Sequence, residues 1–145
     1  MRIATIGFTK KSAEEFFEAL KAARLPTLVE VRLHRASQLA GFAREDHLPY
    51  FLRELAGMQY VVEPLLAPSE ELMAAYRGRK LAWDAFAARF EALLVGRDVA
   101  TRLDRRVFDR GVVLLRSEHD ARRCHRRLAA EHLAQRWGDL TIEHL

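Results

Sequence analysis

Short apolar runs recur along the chain, and each is followed by a longer segment whose apolar positions return every three or four residues. Arg2–Phe8 (RIATIGF) predicts a buried strand ending at Gly7, Thr27–Leu33 (TLVEVRL) a second and Met58–Leu65 (MQYVVEPL) a third. Gly111–Glu118 (GVVLLRSE) predicts a fourth strand and Leu140–Leu145 (LTIEHL) a fifth. These runs are too short and too β-branched for helices of ordinary length.

Between them the period changes. Ser12–Leu25 predicts a helix, with Ser12 as N-cap, Glu15 completing a capping box, and Phe16, Phe17, Leu20 and Ala23 as its apolar stripe. Pro26 ends it. His34–Phe42 has no period. A helix is predicted from about Asp46 to a stop at Gly57, and a short one over Ser69–Tyr76 with Ser69 as cap. Trp83–Val95 and Asp98–Phe108 predict amphipathic helices. Asp120–Trp137 predicts the last helix, with Asp120 as N-cap and Gly138 as stop.

Strands that are apolar almost throughout, alternating with helices, imply a parallel sheet covered on both faces. The expectation is one α/β domain over residues 1–145, with three layers and a mainly parallel sheet of about five strands. Right-handed crossovers put all the strand carboxyl ends on one edge, and ligands sit there where strand order reverses. The loops after strands one (Gly7, Phe8, Thr9), two (Arg32, His34, Arg35, Ser37) and four (Ser117, Glu118, His119) should meet at that edge. Strands one and four are the candidate reversal point.

Composition narrows the classes. The 145 residues are half apolar and 30% charged, the balance of a soluble globular protein. No run is long enough to span a membrane, and Met1–Phe8 is too short for a signal peptide, so a cytoplasmic location is expected. The single cysteine excludes an intrachain disulfide and a cysteine-cluster metal site. Net charge is +4 and arginine is densest at Arg102–Arg110 and Arg116–Arg127, which favours an anionic partner: phosphate, nucleotide or nucleic acid.

The chemistry concentrates in Ser117–Leu128, SEHDARRCHRRL, which holds the lone Cys124 beside His125. On a helical wheel Ala121, Cys124, Leu128, Ala129 and Leu133 share one face, His125 points inward, and Arg123 and Arg127 point to solvent. Arg122 and Arg126 lie at the border, where a long stem can cover apolar surface. A helix N-terminus after a strand favours an anion, and with arginine nearby it also favours a thiolate. Cys124 is therefore a nucleophile, with His125 or Glu118 moving protons, or a packed small hydrophobe beside an anion held by His125 and Arg126, or, with His125, simply a satisfied core residue.

Glu30 and Arg32 fall on one face of a buried strand, so Glu30 pairs with Arg32 or with a helix-borne arginine, or both project into the ligand edge. Gly7–Thr9 offers close backbone approach and a hydroxyl but no dinucleotide fingerprint. His119, His125 and His132 have no supporting metal-ligand pattern, and neither a metal nor a cofactor is expected. Trp83, Phe86 and Phe90 at helical spacing are expected in the core rather than as a base-stacking platform. RLDRRVFDR (Arg102–Arg110) is expected as a solvated helix face.

Taken together, TIGFT (Thr5–Thr9), LVEVR (Leu28–Arg32), SQLAGF (Ser37–Phe42), LAPSEELMAAYR (Leu66–Arg77), WDAFAARFEALL (Trp83–Leu94) and the CHR triplet Cys124–Arg126 resemble the family catalogued as domain of unknown function 488, essentially end to end. The resemblance implies an α/β domain with a polar site built from Gly7, Thr9, Glu30, Arg32, Glu118, Cys124, His125 and Arg126, and no established reaction. Phe8 stands where many members carry histidine, Glu30 replaces the usual aspartate, and Arg116 stands where members typically have a second cysteine. A mechanism needing two thiols is therefore closed to this chain.

The expectation is a pocket at the carboxyl edge of the sheet for an anionic, phosphate- or nucleotide-like ligand. Gly7, Thr9, Glu30, Arg32 and Arg126 would bind it, and Glu118, Cys124 and His125 are the candidates for chemistry. The alternative is a nucleic-acid-binding module that uses the arginine surface without chemistry. A third is an interaction protein with no ligand.

Overall fold

In the computed structural model, which describes residues 1–35, 40–117 and 123–145, the apolar runs form one sheet. Its strands are β1 (Arg2–Gly7), β2 (Thr27–Glu30), β3 (Gln59–Val62), β4 (Val112–Arg116) and β5 (Thr141–His144), and their order is β3-β2-β4-β1-β5. Every pairing is parallel, with Ile3 opposite both Val112 and Ile142, and Val112 opposite Thr27.

Strand alternation sorts the side chains into two cores. Ala4, Ile6, Leu28, Val113 and Leu115 pack under Phe16 and Leu20 of α1 (Ala13–Ala23) and under Leu52. Leu52 opens a π-turn, Leu52–Ala56, that continues α2 (Leu48–Phe51) and closes at Gly57 with φ +62°. On the other face Ile3, Val29, Val31, Val112 and Leu114 pack against α4 (Trp83–Gly96) and α7 (His125–Trp137) through Phe86, Phe90, Ala129 and Leu133. Between β3 and β4 the chain also forms α3 (Glu70–Arg77), α5 (Val99–Arg102) and α6 (Arg105–Asp109). The result is three layers, helices over both faces of a five-stranded parallel sheet. Among the described residues no helix is long and apolar enough to cross a membrane.

α1 forms as its sequence predicts. The Ser12 hydroxyl accepts from the Glu15 N–H, and the Glu15 carboxylate accepts from the Ser12 N–H. Several boundaries differ. β2 ends at Glu30 rather than Leu33, although Val31 and Arg32 stay buried. The helix expected over Asp98–Phe108 breaks at Leu103, whose backbone is extended, because Asp104 caps a new start by accepting from the Arg106 N–H. α7 begins at His125, not after Asp120, which lies outside the described residues. Cys124 is its N-cap, with extended backbone (φ −140°, ψ 135°), so the thiol precedes the helix instead of riding on it. The first turn starts where His125 and Arg126 meet partners on the sheet, contacts that no local period encodes.

β1 and β4 are neighbours, as the reversal point requires. The chain leaves β1 toward α1 on one face and leaves β4 toward α7 on the other. A crevice at the carboxyl ends of such strands is where parallel sheets hold ligands.

Candidate functional site

Arg116 is the last residue of β4 and continues the row of Val112 and Leu114, so its side chain enters the α4/α7 layer. There it borders a cavity of about 60 Å³, together with Arg77 from the end of α3, Arg123, Cys124 and His125. Arg116 and Cys124 are buried, whereas Arg77 and Arg123 are exposed. Tyr76, Trp83 and Phe86 complete the apolar wall, and among the described residues no carboxylate lines this cavity. A wider cleft of about 660 Å³ shares Tyr76, Arg77, Trp83 and Arg123 with it and adds Arg79 and Asp84. Guanidiniums that line one cavity suit phosphate or carboxylate, which they grip by paired hydrogen bonds. A groove on the opposite layer, about 260 Å³ and lined by Phe17, Phe42 and Phe51, carries Glu14, Glu18 and Lys21, with Lys21 Nζ 3.3 Å from the Glu18 carboxylate, and among the described residues has no cluster of cations.

His125 turns inward as expected but is not placed to move protons. Its Nε2–H donates to the Val31 carbonyl at 2.8 Å, and its ring meets Phe90 edge-on at 5.4 Å. Complete burial, then the Arg116 charge, press its pKa down to about 3, so the imidazole is neutral at ordinary pH. Its work is to tie α7 to the end of β2. Arg126, also buried, lies against β1, with Nε donating to the Thr5 hydroxyl at 3.2 Å.

Glu30 and Arg32 project into the other layer, toward α1. They form a buried bidentate pair, Nε to Oε1 and Nη2 to Oε2, both at 2.7 Å. Arg32 Nη2 also donates to the Ala43 carbonyl at 2.6 Å, and the Tyr60 hydroxyl donates to Glu30 Oε2 at 2.9 Å. Burial first, and then the Glu30 charge, raise the Tyr60 pKa well above its ordinary value, so the phenol stays a donor. The Arg32 guanidinium lies 5.2 Å from the Phe8 ring centroid. Phe8 thus covers a buried cation at the position where the family resemblance leads one to expect histidine. Of the roles left open for Glu30 and Arg32, the structure displays the ion pair with each other.

Thr9 joins the loops after β1 and β4, since its N–H and its hydroxyl both donate to the Ser117 carbonyl. The Gly7 carbonyl accepts from Lys11 Nζ at 2.9 Å. Glu118 lies outside the described residues. Of the residues singled out from sequence, Cys124 and His125 therefore share the cavity, Glu30 and Arg32 lie on the far side of the sheet, and Gly7, Thr9 and Arg126 brace β1. Arg77, Arg79 and Arg116 are not among the site residues to which the sequence points, and the helical wheel turns Arg123 to solvent. The signal available was YRGRK (Tyr76–Lys80), cations packed beside an aromatic at a helix end. Among the described residues no group of three or more His, Cys, Asp or Glu is placed to hold a metal.

A family model described as "Domain of unknown function DUF488" matches residues 12–133. The matched span begins after β1 and ends within α7, so Gly7 and Thr9 precede it. No curated protein and no solved structure matches the chain.

Proposed function

The chain belongs to the domain of unknown function DUF488 family, and on that footing we propose that this member binds a phosphate-bearing anion in the cavity at the carboxyl end of β4. The observation that carries the reading is the convergence of Arg77, Arg116 and Arg123 on one cavity. Two further features support it. The cavity lies at the first turn of α7, where the helix dipole favours negative charge, and the whole chain is cationic at +4. Cys124 forms part of the wall, and His125 orients the helix start.

Titration with inorganic phosphate by calorimetry tests the reading. Arg123→Ala should weaken binding about tenfold, the order expected for a charge-assisted hydrogen bond. Arg53→Ala, an exposed residue elsewhere, should leave it unchanged. Equal affinity in wild type and Arg123→Ala would remove the site. Because the chain has one cysteine, alkylation of Cys124 by iodoacetamide gives a second readout, and phosphate should slow it.

A second reading rests on the exposure of Arg77, Arg79 and Arg123 along an open cleft, which suits the backbone of a nucleic-acid strand. Salt separates the two. A strand neutralising several phosphates loses affinity steeply as salt rises, whereas a single anion loses little.

A further inference from the structure

Resting on the anion-pocket reading, we infer that the ligand is a nucleoside phosphate whose base stacks on Trp83. The two neighbouring spaces differ in size. The inner cavity, about 60 Å³, is lined by Arg77, Arg116 and Arg123 and holds roughly the volume of two waters. The outer cleft, about 660 Å³, falls in the range of sites for small organic ligands. It is lined by Arg77, Arg79, Arg123 and Asp84, and by Tyr76 and Trp83, which it shares with the inner cavity. A small anion therefore fits the inner cavity, and a larger planar group fits only the outer cleft.

Trp83 is backed for stacking. Its ring lies on Phe86 at 5.5 Å and 24°, and Phe86 lies on Phe90 at 6.0 Å and 19°. Phe86 and Phe90 are buried in the core, but Trp83 is only partly buried and lines the cleft. The three residues grouped by helical spacing thus divide into two core rings and one rigidly supported outer ring. Tyr76 meets Trp83 edge-on at 5.9 Å and fixes its tilt. Arg77 and Arg123 line both spaces, so they bridge the phosphate and the sugar side of one ligand.

Adenosine monophosphate, ribose 5-phosphate and inorganic phosphate are the probes. In calorimetry adenosine monophosphate should bind at least about fivefold tighter than ribose 5-phosphate, the increment expected of one stacked base. Trp83→Leu, which keeps an apolar contact on Phe86, should erase that difference and make the two affinities equal. The other tryptophan, Trp137, is held away from the cleft by Phe108 and the Ala100 carbonyl. In a Trp137→Phe background, Trp83 fluorescence should therefore be quenched by adenosine monophosphate and not by ribose 5-phosphate. A short oligoadenylate separates the sources of the base: affinity well above the mononucleotide assigns it to a strand and equal affinity to a free nucleotide, and in both cases the stacked base stands. Equal binding of adenosine monophosphate and ribose 5-phosphate by the unaltered protein would overturn the base platform and leave the phosphate pocket standing. Binding of none of the three would remove both.

Discussion

Arg32 shows how a buried charge is tolerated. Its guanidinium reaches Glu30 twice and the Ala43 carbonyl once, while Glu30 also accepts from Tyr60. Desolvating two ions is costly, and the interior keeps them because the pair and its added hydrogen bonds offset that cost. Removing one partner exposes the imbalance. Arg32→Ala should lower unfolding stability by about 3–5 kcal/mol in urea titration. Replacing Glu30 and Arg32 together by leucine should recover much of the loss. A single variant as stable as wild type would mean that the pair contributes nothing. The charges in EVR were visible from sequence, and alternation put them on one face. Their partners, Tyr60 and Ala43, come from other elements, so the pairing itself was not legible.

Elements end where backbone geometry requires it, and some endings cannot be read from periodicity. Gly111, just before β4, has φ +89°, and a Cβ there would meet Leu25 Cδ2 at 2.6 Å. Gly111→Ala should therefore cost more than about 1 kcal/mol through left-handed strain together with the clash. Gly96→Ala, at the end of α4 with nothing within 4 Å, should be neutral or stabilising. Melting temperatures of the two variants check this, and equal shifts would contradict it. The capping box of α1 was fully legible, because its contacts span three residues. The start of α7 was not, because it is set by the Val31 carbonyl and the Thr5 hydroxyl, which lie 94 and 121 positions away from their partners.

Across the whole molecule His125 stitches the last helix to the second strand, which makes global stability depend on pH. Its folded pKa of about 3 lies below the ordinary 6.5, so between these values the unfolded chain binds the extra proton. The contribution is therefore complete above pH 6.5 and lost as pH falls toward 3, with a slope of up to about 1.4 kcal/mol per pH unit. His125→Gln, which retains an N–H donor and does not titrate, should flatten the pH dependence of the urea midpoint over that window, and an unchanged slope would contradict it. The same scale decides the site. By itself the sequence determined the alternation of strands and helices, the parallel three-layer class, the α1 cap and the inward turn of His125, because periodicity and capping are local and repeat within a few residues. Only the tertiary structure decided that β4 lies between β2 and β1, that Glu30 and Arg32 lie across the sheet from Cys124, and that Arg77, Arg116 and Arg123 face one cavity. Those outcomes depend on which distant faces can be buried together, and that free energy is set by packing between elements rather than within them.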